Sequence, residues 1–420
     1  MPDAEPQSQD AGEPRLHDNL LAPEIVADPY AYYGALRERD PVHYNSLLGA
    51  WVVTGYEDVR ACFRDPRLSS DRITPYYKSK LSGPDADKHR TNYEMMSRWM
   101  VFVDAPDHTR LRKLIDRAFR PKAVARMNEH IEQLVKELLD GLSARGEMDF
   151  VHDFAFPLPV LVICELFGVP PEDRDQVKAW SEDILTLVFG ALDVPDRHDR
   201  TRKAFEAMSD YLRALIAERR KAPGTDLLST LLQKEADGEE LSEQEIIATC
   251  VLALFGGHET TTNLLANGLK ALLENPEQWE KLKADPALLP SAVEELLRFD
   301  GPSKAMWRVV TEPMQLGKRK LHTGDRVLLV QSSANRDPER FENPDALDIE
   351  RKDNLHMGFG YGAHYCIGAP FARLEGIIAL RELIKRMPDI QLATDQFEWQ
   401  PTLLNRALKS LPVRFTAFLS

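Results

Sequence analysis

The stretch that most limits what this chain can become is residues 356–370, where Gly358, Gly360, Gly362 and Gly368 surround Cys366. Glycines at that density let a backbone turn tightly and pass close to a flat ligand. Pro370 suits the first turn of a helix, and residues 371–380 read as that helix. Cys366 therefore precedes a helix N-terminus, where the dipole and free amides favour a thiolate. Taken alone, such a cysteine reads first as a small buried hydrophobe on a tight loop.

It is not alone. A thiolate on a glycine-rich loop is what a haem iron requires as an axial ligand. The pattern Phe359, Gly362, His364, Cys366, Gly368 resembles the haem-binding loop of the cytochrome P450 family, in the variant with histidine two residues before the cysteine. Further motifs match in order, and the resemblance runs from about residue 28 to the end of the chain. It implies a mainly α fold with small β-sheets, with a long central helix over a haem b held by the Cys loop. The expected organisation is a disordered polar tail at 1–14 and a single haem-thiolate catalytic domain at 15–420.

The central helix is expected over 242–274. Ser242 with Glu245 three residues later is a capping box, and residues 250–255 are apolar all round, as in a helix that crosses an interior. Its middle reads Gly256-Gly257-His258-Glu259-Thr260-Thr261-Thr262, a poor helix-forming run. One reading is a close helix–helix approach at the glycines, with threonines bonding back to the preceding turn. The other is a local opening with a carboxylate and a hydroxyl side by side. Glu259 and Thr260 match the family's acid–alcohol pair, with Glu where many members have Asp, and the resemblance implies proton delivery for dioxygen cleavage.

Glu295 and Arg298 lie three apart on a helix whose neighbours Leu296, Leu297 and Phe299 suggest burial. They match the family's structural Glu-x-x-Arg pair. Arg351 is the candidate third member, because Ala346 occupies the area where an arginine is more common. Haem carries two propionates, which call for cationic partners. His108 and Arg112, four apart on one helix face, match family propionate ligands, as do Arg308 and His364. Lys304, Ala305 and Met306 fall in a segment expected to line the substrate pocket. An ammonium at Lys304 must reach water, a propionate or an anionic substrate.

Elsewhere, residues 29–38 read as a helix capped by Asp28, and 51–54 as a strand pairing with 42–44. Residues 67–100 read as a long irregular segment, which the resemblance makes a wall and lid of the pocket. A helical region at 173–221 is broken near 193–195. The net charge of −14 argues against nucleic acid as a general partner. No stretch is long and apolar enough to read as a membrane span, and none reads as a secretory signal. Cys62, Cys164, Cys250 and Cys366 are widely spaced, which fits a reducing, cytoplasmic compartment.

The resemblance implies a monooxygenase acting on a lipophilic small molecule. No dinucleotide-binding glycine motif or iron–sulfur cysteine set is present, so electrons are expected from a ferredoxin or flavodoxin with its NAD(P)H reductase. Arg72, Arg110, Lys113 and Arg117 are candidates for its docking patch. The alternatives are a peroxide-dependent haem enzyme of the same fold and a non-catalytic haem sensor or carrier.

Overall fold

A 32-residue helix, Glu243–Glu274, runs through the middle of the molecule. The computed structural model describes residues 16–83, 86–119, 121–188, 194–233 and 239–417, so the expected tail at 1–14 lies outside the described residues. The capping box starts the helix: the Glu245 amide donates to Ser242 Oγ, and Glu245 Oε2 accepts from the Ser242 amide at 2.8 Å. At 1.5 Å per residue the helix is about 48 Å long, enough to traverse a domain of this size. It is buried on nearly every side from Ile246 to Leu272. Helices Pro157–Leu166, Arg174–Val188, Arg197–Lys221, Leu289–Phe299 and Ala369–Arg386 pack around it.

The sheets are small. The largest has five strands in the order Val42–Asn45, Ala50–Val53, Arg326–Leu329, Met306–Val310, Leu68–Ser69. Only the contact between Ala50–Val53 and Arg326–Leu329 is parallel. Val52, Val53, Val327, Leu328 and Leu329 are wholly buried, so this sheet is a second core beside the helical one.

One local reading needs correction, and the expected break in the helical region at 173–221 is present. Residues 67–100 are not irregular: they contain strand Leu68–Ser69 and helices Ile73–Lys78 and Ala86–Met96. Helix Ala86–Met96 buries only Asn92 and Met96, too few apolar positions to set up a helical period. The region at 173–221 forms helices Arg174–Val188 and Arg197–Lys221, with residues 189–193 outside the described set.

The irregular chain before the Cys loop is fixed by a buried charge cluster. Arg298 donates to both oxygens of Glu295 at 2.8 Å, to the carbonyls of Asn335 and Pro344, and to that of Ala346 at 3.0 Å. Arg351 Nε meets Glu295 at 3.1 and 3.2 Å. Asp348 N and Asn354 Nδ2 complete the carboxylate's shell. Ala346, which has no cationic side chain to offer, takes part through its backbone. Arg298→Met should lower stability in urea unfolding by about 3–5 kcal/mol, because it removes one of two guanidiniums from a buried carboxylate and leaves three backbone carbonyls without their donor. A loss under about 1 kcal/mol would mean that Arg351 and the remaining donors suffice for Glu295.

Glu375, on the helix after the Cys loop, is buried, and its Oε2 has no partner. Burial pushes its carboxyl up to about 8. A folded value above the unfolded one gives stability that is full below the unfolded value of about 4.3. That stability is lost as pH rises through about 8. The urea midpoint should therefore fall across that interval, and Glu375→Gln should flatten the fall. An unchanged slope would show that the carboxyl ionises normally.

Candidate functional site

The Cys loop is a sharp turn docked on two helices. Gly360 and Gly362 take φ values of 72° and 76°, which side chains resist, and a Cβ on Gly362 would meet the Phe63 carbonyl at 3.0 Å. The Met357 amide donates to Asn335 Oδ1 at 2.7 Å, which ties the loop to the buried charge cluster. A second clamp went unnoticed in the sequence. Glu294 receives Arg373 at 2.6 and 2.9 Å and His356 at 3.0 Å, and Arg373 also reaches Tyr365 Oη and lies over the Phe359 ring. Burial acts to raise the Glu294 carboxyl, but the bonds from Arg373 and His356 prevail and bring it down to about 2. The clue was available: Glu294 directly precedes the Glu-x-x-Arg glutamate.

Cys366 is at once accessible and surrounded. Its amide donates to the Phe359 carbonyl at 3.0 Å, and the Gly368 and Ala369 amides point at Sγ. Pro370 follows in the first turn of Ala369–Arg386. Those amides, with Arg112 and Arg373, favour the thiolate as expected, yet burial outweighs them and the thiol's pKa is raised. The residue is nonetheless exposed to solvent in the protein alone. A buried thiol that resists ionisation is the kind a metal cation deprotonates on binding.

Cationic and imidazole groups crowd near the loop. The His108 and His364 rings lie against each other with centroids 4.0 Å apart and planes tilted by 42°. Burial first, then His108 and Arg308, drives His364 down to about 3, and burial also lowers His108. His108 Nε2 is buried without a hydrogen-bond partner among the described residues. Arg308, on strand Met306–Val310, is buried and brought down to about 10, by burial against the opposing pull of Asp104. Arg112 is engaged differently: it donates to the Tyr365 carbonyl at 2.6 Å and pairs with Asp116 at 2.7 Å. Orphaned donors and under-compensated cations beside an accessible thiol fit a group that brings both a metal and carboxylates.

On the opposite wall the helix around Glu259 runs unbroken, so the expected local opening is absent. Thr260 and Thr261 donate to the carbonyls of Gly256 and Gly257 at 3.3 and 3.1 Å, bonding back to the preceding turn. The two glycines differ. A Cβ on Gly257 would meet Ile163 at 3.1 Å, whereas one on Gly256 would meet only Leu252 Cδ1 at 4.0 Å. Burial raises the Glu259 carboxyl, opposed by a bond from Asn263. His258 turns away, against Phe156 and the Leu254 carbonyl.

Two further expectations are corrected. Lys304 reaches neither water nor a carboxylate: it is buried, and its Nζ donates to the Thr402 carbonyl. Burial, and then Arg406, lowers it to about 7. Ala305 beside it is fully buried and Met306 partly so. The docking patch is not a set of free cations. Arg110 pairs with Glu245, Lys113 with Glu239 at 3.1 Å, and Arg117 donates to the Leu231 carbonyl. Arg72 is turned inward over the Phe102 ring. The cations nearest the Cys loop are instead the exposed Arg64 and the half-exposed Arg60, which bonds Tyr361 Oη at 3.2 Å and pairs with Glu57 at 3.3 Å.

The Cytochrome P450 family profile matches residues 76–387. Cytochrome P450 107B1 of Saccharopolyspora erythraea is 40% identical over 397 residues, covering 93% of this chain and 96% of that protein. The vitamin D(3) 25-hydroxylase of Pseudonocardia autotrophica is also 40% identical, covering 94% and 96%. The solved structure of the Bacillus subtilis bacillaene polyketide synthase cytochrome P450 PksS superposes with a TM-score of 0.86 at 38% identity, covering 96% of this chain and all of that one.

The glycine pair gives a direct test of the wall. Gly256→Ala should be neutral or stabilising by up to about 1 kcal/mol, since the site is open and alanine favours helix. Gly257→Ala should be destabilising by about 1–3 kcal/mol through overpacking on Ile163. Urea unfolding of both variants checks the order, and a reversed order would contradict the packing.

Proposed function

Because the chain belongs to the cytochrome P450 family, and is a haem b monooxygenase, we propose that Cys366 ligates the iron and that the substrate is a lipophilic small molecule of secondary metabolism or catabolism. The observation that carries this is the accessible sulfur of Cys366, cradled by the Gly368 and Ala369 amides on a loop clamped from two sides. Arg308, His108 and His364 hold the propionates, while Arg112 acts on the loop through the Tyr365 carbonyl. Phe359, Gly362 and Gly368 shape the turn that lets the porphyrin approach the backbone.

When bound, the haem iron activates dioxygen, placing one oxygen atom in the substrate and reducing the other to water with two electrons and two protons. The chain supplies the proton path. Glu259, whose carboxyl burial keeps protonated to higher pH than usual, is the acid, and Thr260 is the hydroxyl donor beside it. In the resting helix Thr260 bonds the Gly256 carbonyl, and the open face at Gly256 leaves that hydroxyl room to swing toward a ligand. The substrate class is supported by relatives named for polyketide biosynthesis and for vitamin D(3) hydroxylation.

Electrons arrive from a ferredoxin or flavodoxin with its NAD(P)H reductase, docking beside the Cys loop at Arg60 and Arg64. The site of action is the cytoplasm, which suits four free cysteines. No helix among the described residues is long and apolar enough to cross a membrane.

Substrate oxidation with NAD(P)H should require the added donor pair. Thr260→Ala should keep haem and substrate binding while lowering product per NAD(P)H by up to about a hundredfold, the lower end for loss of a positioned proton donor. Undiminished coupling would remove Thr260 from the proton path. Turnover with peroxide alone at the full rate would favour a peroxide-driven enzyme.

A further inference from the structure

Arg72 is a half-buried cation that nothing described above uses. Its guanidinium lies 4.4 Å from the centre of the Phe102 ring, its Nη1 is shielded from solvent, and it makes no side-chain hydrogen bond or ion pair among the described residues. Such an arrangement is costly unless an anion completes it.

Its neighbours show where that anion sits. Ser69 pairs with Val309 in the sheet, so the chain entering Arg72 runs along the edge that carries Arg308. Asp104 fastens this edge by accepting from Ser69 Oγ and from the Ser70 amide at 2.9 Å. Phe102, under the guanidinium, leads through Asp104 into the helix Asp107–Asp116 that bears His108. Arg72 is thus bracketed by the elements carrying Arg308 and His108. Arg308 is close enough that its charge, added to burial, brings Arg72 down to about 9. Two guanidiniums carried by paired strand edges, each over an aromatic ring, call for a shared anion. Arg112 is already committed to Asp116 and the Tyr365 carbonyl.

We propose that Arg72 is a further anchor for one haem carboxylate, shared with Arg308. The inference rests on the haem site proposed above, and it makes Arg72 a cofactor-binding residue and not part of a partner-docking face.

The test uses purified holoprotein and follows haem transfer to excess apomyoglobin by the Soret change. Arg72→Met, similar in length but uncharged, should lose haem about 10- to 100-fold faster than the parent, the span for one charge-assisted hydrogen bond. Arg72→Lys should recover most of that loss, and Arg117→Met should match the parent. The carbon monoxide spectrum, recorded on each variant, reports Cys366 ligation separately, so failure of the anchor and failure of the thiolate site are distinguishable. Three results would overturn the proposal: parental haem retention in Arg72→Met; retention by Met with loss by Lys, the signature of a packing role; or parental retention with weakened binding of dodecanoate but not of its methyl ester, which would assign Arg72 to an anionic substrate.

Discussion

The structure depends on an electrostatic centre that the polypeptide leaves incomplete. Cys366 is held where burial raises its thiol against the pull of two amides and two guanidiniums. Arg308 is buried and Arg72 half-buried, each with less negative charge than it needs. Each feature costs stability in the protein alone, and under the proposed reading each would be relieved by one group that carries both a metal and carboxylates. Binding energy for such a group is folding energy in the same sense as for a structural metal.

An incomplete centre is tolerable only if its surroundings are over-determined. Two acids on one helix do this, Glu295 buried and Glu294 half-buried. Glu295 organises Arg298, Arg351 and the backbone of 344–348, and Glu294 receives Arg373 and His356 from the Cys loop and the helix behind it. Asn335 joins the two systems, accepting from Met357 through its side chain and from Arg298 through its carbonyl. The opposite wall is set by a close approach at Gly257 and an open face at Gly256, one residue apart on the central helix. Packing closes one side of that helix and leaves the other free for chemistry.

How much of this was legible in the sequence follows from range. Local signals read well: the capping box at Ser242 and Glu245, the Asp28 cap, the Gly-rich turn before Pro370, and the Glu295–Arg298 spacing are each complete within a few residues. Helix Ala86–Met96 escaped because tertiary contact and not periodicity stabilises it. Charges misled most. Arg110 looked like a free surface cation because its partner Glu245 is 135 residues away, and Lys304 looked like a pocket residue because the Thr402 carbonyl that receives it is 98 away. Arg72 was assigned outward on the same ground, although Phe102 and the strand register turn it inward.

The central claim is that Cys366 is the ligand for which this incomplete centre is built. The most direct measurement is the carbon monoxide difference spectrum of the dithionite-reduced protein and of Cys366→Ala. The account predicts the red-shifted Soret band of a thiolate-ligated haem in the parent and its absence in the variant. A parent without that band, or a variant that keeps it, would contradict the account.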